Sequence, residues 1–194
     1  MVQAKPRQPN VARSRDLTRR GISREAIRHL TKNGVFERAA RGVYLTPTAA
    51  RSSHRDLLIV AARVPSGVFC LLTALVFHGL TTELPHEVWV AVGLKARKPV
   101  LDTPPIRIIR LSEGPLAAGV ETHMEHGVPL RVFSPAKTVA DCFKFRRSIG
   151  LDVAVAALRQ GLAQKRFTID ELWGYARVCR VTAVMRPYLE ILAG

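Results

Sequence analysis

Most of the residue patterns from which catalytic and secreted scaffolds are built are scarce or absent in this chain of 194 residues. Its three cysteines, Cys70, Cys142 and Cys179, are far apart and odd in number, with no CxxC pair. That excludes a disulfide ladder and a thiolate zinc cage; small buried residues in apolar helices, in a reducing cytoplasm, are expected instead. No glycine-rich phosphate loop occurs, and no Gly-Ser followed by paired aspartates, so a metal-dependent nucleotidyl-transfer site lacks its residues. Long apolar runs are missing too: "GVFCLLTALVFHGL" is too short and too interrupted to span a bilayer, and no hydrophobic core of a leader follows "MVQAKPRQPN". A soluble cytoplasmic protein with no membrane segment is the expectation. The groups His78/Glu83/His86/Glu87 and His123/Glu125/His126 give no HExxH and no ligand pair on one helical face; His123 and Glu125 share a strand face that His126 leaves. Asp141 beside Cys142 in "TVADCF" has no positioned base, and its carboxylate is expected to serve the helix surface or an ion pair with Lys137 or Arg146. No catalytic residue, metal or cofactor is expected.

Positive charge is what the chain has in excess, with 30 Lys+Arg against 15 Asp+Glu for a net +15. Such an excess points to a polyanionic partner. Residues 1–55 hold thirteen Lys/Arg and three acids, hence +10, and the 139 residues that follow share +5. Pro6 and Pro9 beside Lys5 and Arg7 make residues 1–10 an unstructured basic tail. "VARSRDLTRRG" reads as a short helix with Val11, Ala12 and Leu17 inward and Gly21 as its stop. In "ISREAIRHLTKNG" Ser23 is an N-cap, Ile22 and Ile27 a hydrophobic staple across it, and Asn33–Gly34 a left-handed end. Ala26, Ile27 and Leu30 share one face of that helix, and Arg24, Glu25, Arg28 and Lys32 the other. "VFERAARGVYLTP" gives two short strands, Val35–Arg38 and Gly42–Leu45, closed by Pro47. A hairpin after a helix-turn-helix is a wing.

This pattern predicts a DNA-binding segment over residues 11–48. Arg24 and Arg28 are placed to reach base edges, Ser23 and Lys32 the backbone beside them. Arg38 and Arg41 in the wing, and Arg13 and Arg15 in the preceding helix, are candidates for phosphates. Gly42 and Tyr44 are expected to shape the site, the glycine by a tight turn and the tyrosine by packing back on the helices.

From residue 51 the texture changes to an α+β domain running to 194. "RSSHRDLLIVAARVP" reads as a helix ended by Pro65, and "GVFCLLTALVFHGL" as a central buried helix ended by Gly79. "HEVWVAV" and "IRIIRLS" read as strands around a Pro/Lys-rich loop, and "VETHMEHGVPLRVFS" as a hairpin turning at His126–Gly127. Helices follow: one capped by Ser134 with Pro135 at its first position, one after Asp152, one opened by a Thr168/Glu171 capping box, and a last one containing Pro187. The fold class expected is α+β, an N-terminal winged helix-turn-helix followed by a mixed α+β C-terminal domain.

The ordered blocks "GISREAIRHLTKNGVFERAARGVYLTP", "LLTALVFHGLTTELPHEVWVAV", "FSPAKTVADCFKFRRSIGLDVAVAAL" and "YARVCRVTAVMRPYLE" resemble AbiEi-type antitoxins, the transcriptional regulators of type IV toxin–antitoxin pairs. The resemblance implies a non-enzymatic autorepressor whose winged helix binds double-stranded DNA at inverted repeats in the promoter of its own operon. It also implies an α+β C-terminal antitoxin domain that counters a nucleotidyltransferase-like toxin, with or without a stable complex. One departure stands out: family members place a full first helix before the segment "VARSRDL", where only ten residues precede Val11 here. Three readings fit that departure: a start assigned too late, the helix from Arg51 or another element in that place, or a decayed copy with weakened DNA binding. Two other readings compete: a nuclease or nucleotidyltransferase-like enzyme docking through its winged helix, and a basic module that binds an acidic protein.

Overall fold

The computed structural model describes residues 9–193, so all but the end of the expected basic tail lies outside the described residues. Contacts divide the chain into two compact units: one of the residues up to Ser66 with Pro99–Pro105 and His123–Leu130, the other of Gly67–Lys98, Ile106–Thr122 and the residues from Arg131 onward. The sequence-based boundary at residues 48–51 falls inside the first unit.

That unit opens with β1 (Val11–Arg13), α1 (Ser14–Arg19) and α2 (Arg24–Lys32), continues through β2 (Glu37–Ala40) and β3 (Val43–Leu45), and ends with α3 (Pro47–Ala50) and α4 (Arg55–Arg63). Its antiparallel sheet has the order β1-β3-β2, with Ala12 opposite Tyr44 and Arg38 opposite Tyr44 from the other side. Here the reading of Val11–Arg13 as helix is corrected. These residues pair with the open edge of β3, and the strand period turns Ala12 into the core while its neighbours stay half-exposed. Asn10, the last residue of the expected tail, is fixed: its carbonyl accepts from the Thr46 amide at 2.9 Å. Both wing strands begin later than expected, and a bulge lies between Arg38 and Ala40.

Helix α2 ends as its sequence dictates. The Gly34 amide donates to Thr31 O at 3.1 Å and the Val35 amide to Leu30 O at 3.0 Å, with Gly34 at φ +70°; this double closure is the Schellman motif. Ala12, Leu17, Ile27 and Phe36 form a small core, flanked by Ile22, Leu30, Val35 and Tyr44. The helix expected from Arg51 begins at Arg55, because Thr46 caps the separate turn of α3 and Pro47 sits at that turn's first position. Helix α4 buries Leu57, Leu58, Ile59 and Val60 and packs on β1 and β3, so it supplies a third helix to the winged fold.

The second unit contains β4 (Val68–Phe69), α5 (Leu71–Phe77), β5 (Val88–Gly93), β6 (Ile106–Leu111), α6 (Glu113–Ala117), β7 (Val120–Glu125) and β8 (Val128–Phe133), the end of this last hairpin grouping with the first unit. Helices α7 (Pro135–Lys144), α8 (Arg146–Ile149), α9 (Leu151–Ala163), α10 (Ile169–Cys179) and α11 (Thr182–Ala193) follow. The mixed sheet has the order β6-β5-β4-β8-β7, with β5–β6 and β4–β8 parallel. The single central helix expected over 67–80 is corrected to a strand and a shorter helix. A continuous apolar run fits either, and Val68–Phe69 is drawn into the sheet between β5 and β8. The hairpin turns at His126 and Gly127, both at positive φ, as a two-residue turn of this hand requires. Helix α9 starts at Leu151 rather than after Asp152; Gly150, at φ +95°, leaves room for the Asp152 carboxylate, with which a Cβ there would collide.

Helix α7 is the centre of this unit: every residue from Pro135 to Phe143 is buried against α5, α9 and α10. Ser134 caps it and Thr168 with Glu171 forms the full capping box of α10, both as expected. Asp141 is not on a helix surface. It and Lys137 are paired at 1% and 0% exposure, and Cys179 Sγ donates to the other Asp141 oxygen at 3.2 Å.

Candidate nucleic-acid interface

The cations of the first unit are arranged by α2 and the wing. Arg24, Arg28 and Lys32 follow the four-residue spacing of one helical face. Arg38 stands on β2 and Arg41 at the wing's turn, and together these five line an open groove of about 760 Å³. Ser14, Ile27, Thr31, Gly42 and Tyr44 complete its walls. No carboxylate lines it, and among the described residues none of the five cations is in an ion pair. Glu25 and Glu37, exposed on the same elements, stay outside.

This arrangement is unfavourable for the isolated fold. Like charges four residues apart destabilise a helix by about 0.2–0.5 kcal/mol per pair, and Arg24 sits in the first turn, where the helix dipole disfavours a cation. A helix selected for stability alone would carry acids there. The same row is favourable once phosphates lie against it, because each cation then gains a charge-assisted contact.

The supporting residues act as the sequence suggests. The Ala26 amide donates to Ser23 Oγ at 3.1 Å. That cap fixes the start of α2, and with it the position of Arg24. Gly42 has φ +73°, and a Cβ there would come within 3.1 Å of Ser14 Oγ. Tyr44 packs beside Phe36 with ring centroids 6.4 Å apart. Thr31 was not singled out from the sequence, although it lies three residues after Arg28 on the same face; its hydroxyl donates to Ile27 O at 2.9 Å.

The other predicted site residues do not join the groove. Arg13 is turned inward: its Nε donates to Asp16 Oδ2 at 2.5 Å and its Nη1 to Ala62 O at 3.4 Å. Arg15 is exposed, 3.8 Å from the second Asp16 oxygen, and Ser23 is spent on the cap. The hydrogen bond from Arg13 holds the Asp16 carboxyl below its ordinary range, helped by the charges of Arg13, Arg15 and Arg19.

The remaining chemical groups are engaged in packing. Burial pushes the Cys70 and Cys142 thiols well above their ordinary range, and Cys179 up to about 12; none is poised as a thiolate nucleophile. His78 is buried with Nε2 2.8 Å from Phe133 O, and Glu87 pairs with Arg107 at 2.9 Å. Among the described residues no group of three His, Cys, Asp or Glu is placed to hold a metal ion, and no helix is long and apolar enough to cross a membrane.

Comparison with known proteins bears on the same segment. A solved structure, the RV2827C protein from Mycobacterium tuberculosis, superposes with a TM-score of 0.58 at 18% identity over 84% of this chain. That likeness is one of fold, and this chain spans 65% of that protein's length. A search of curated proteins finds no match. The model of a family described as "Transcriptional regulator, AbiEi antitoxin" matches residues 3–47, from the N-terminal segment through β3 to Pro47. Over the helices and wing that build the cationic groove, the chain is therefore similar to the AbiEi antitoxin regulators.

Proposed function

We propose that the protein is a sequence-specific DNA-binding autorepressor that also serves as the antitoxin of a type IV toxin–antitoxin pair, countering a nucleotidyltransferase-like toxin. The observation that carries the reading is the groove of Arg24, Arg28, Lys32, Arg38 and Arg41, five unpaired cations inside the segment that matches the regulator family. Arg24 and Arg28 present guanidinium forks suited to guanine O6 and N7 in a major groove. Lys32, Arg38 and Arg41 neutralise phosphates on either side, and Arg15 adds a peripheral charge. Arg13 contributes by fixing Asp16 and the start of α1 rather than by touching DNA. The five-stranded sheet and its helices form the antitoxin domain, which acts in the cytoplasm in functional pairing with the toxin.

Gel mobility shift against the upstream region of the protein's own operon tests the DNA half of the reading. The expected result is binding at least about 10³-fold tighter than to random duplex at moderate salt; equal affinity for the two overturns it. The other half requires that a neighbouring reading frame encode a nucleotidyltransferase-like protein, and rescue of growth on co-expression with it is the test.

A further inference from the structure

We propose that the loop leaving β5, residues Gly93–Lys98 of the second unit, is a separate binding site for the phosphodiester backbone of a nucleic acid. Strands β5 and β6 run parallel and end together, Gly93 opposite Leu111, and loops at the carboxyl ends of parallel strands are where such sheets present ligand-binding groups. Lys95, Arg97 and Lys98 are all exposed. No carboxylate occurs in the chain between Glu87 and Asp102, and among the described residues none of the three cations is in an ion pair or side-chain hydrogen bond.

The loop is nonetheless held in shape. Arg110, reaching up from β6, donates through Nη1 to the carbonyls of Gly93, Leu94 and Ala96 at 3.2, 2.8 and 2.9 Å. The Ala96 amide closes the turn on Gly93 O at 3.0 Å. The backbone acceptors are thus gathered inward on one guanidinium, leaving the three cationic side chains outside. Ordering a backbone costs about 1–2 kcal/mol per residue, and this loop recovers little of it by burial, since Leu94 is 59% exposed. A fixed loop that buries no apolar side chain and concentrates three cations around the Arg110 guanidinium is costly by itself; a polyanion reverses the sign.

The charges are spread over consecutive residues without an enclosing pocket, which fits a chain of phosphates better than a single one. The loop carries no aromatic residue on which a base could stack, so the contact is to backbone and independent of sequence. It does not rest on the reading of the α2–wing groove.

The test uses the full chain and two probes, a random-sequence DNA duplex and a single-stranded RNA, with affinity followed by fluorescence anisotropy across a salt series. In the K95A/R97A/K98A variant the slope of log K against log[salt] should fall by about 2–3 on the duplex, or by about 2 on the single strand. The arm that changes identifies the source of the phosphates. A K95R/R97K/K98R variant, which keeps the charge, should retain the wild-type slope. R110K keeps the charge but loses the clamp, and should weaken binding with the slope unchanged. Unchanged slope and affinity on both probes in the alanine variant overturn the loop site, whatever the groove does. Loss of operator preference in an R24A/R28A variant, with the loop-dependent slope intact, leaves the loop site standing and bears only on the groove.

Discussion

The groove cations of the first unit and the buried lysine of the second live under opposite rules. In the first, five stand in open water with no carboxylate among them. In the second, Lys137 is fully buried, paired with Asp141 and lying 4.0 Å from the centre of the Phe133 ring. The difference follows from magnitude. Removing an ion from water costs several kcal/mol, so a buried cation must bring its counter-ion. An exposed one, even crowded by its like, costs a few tenths, so its counter-ion can be supplied by a partner. Pairing in the core marks structure; the absence of pairing on a shaped surface marks binding. The largest effect expected from any single change lies on the buried side: Asp141→Ala leaves Lys137 charged and unpaired, and should cost about 3–5 kcal/mol in chemical denaturation. Arg28→Ala should leave stability within about 0.5 kcal/mol of wild type. Equal melting of Asp141→Ala and wild type would remove the contrast.

On the exposed side the effect should appear in binding instead. Arg24→Ala or Arg28→Ala is expected to weaken operator binding by about 1–3 kcal/mol and to relax preference at one base pair. Ser23→Ala removes the cap that fixes the start of α2, and should cost about 1 kcal/mol of stability. Some affinity should go with it, which Arg28→Ala separates by losing affinity alone. Arg41→Ala should reduce the salt slope by about 1 and weaken all duplexes alike. An Arg41→Ala variant that changed base preference would move Arg41 from anchor to reader.

Features set by neighbours in the chain were legible beforehand. Ser23, Ser134 and the Thr168/Glu171 pair cap the helices they precede, Gly34 and Gly127 turn the chain where expected, and the spacing of Arg24, Arg28 and Lys32 places them on one face. The strands Val11–Arg13 and Val68–Phe69 were read as helix, because two or three residues carry no period of their own. Their conformation is dictated by partners far along the chain, Val43–Leu45 for one and β5 with β8 for the other. The same division holds in the site. Charge and period located the groove, whereas the capture of Arg13 by Asp16 and Ala62 needed the packing of α4, and the clamp of Arg110 on its loop needed the β5–β6 register. Sequence alone leaves Asp141 on a surface or in a local pair, and the enclosure of α7 by α5, α9 and α10 decides between them.

The smallest effect concerns Arg13, a predicted site cation that Asp16 already satisfies. Arg13 holds the Asp16 carboxyl below its ordinary 3.8, first by a hydrogen bond and then by charge, with Arg15 and Arg19 adding to the field. A carboxyl whose pKa is lower in the folded state stabilises that state above its ordinary pKa, and the stabilisation fades as pH falls through the lowered value. The pair is partly exposed and screened, so its worth is at most about 1 kcal/mol. Asp16→Asn should therefore flatten the acid limb of stability below about pH 4, measured by denaturant midpoint at low salt, and leave the neutral range almost unchanged. It also releases Arg13, and the salt slope on duplex DNA should then rise by up to about 1. A flattened acid limb with an unchanged slope would mean that the freed arginine stays against Ala62, so that pairing with Asp16 is not what withholds it from DNA.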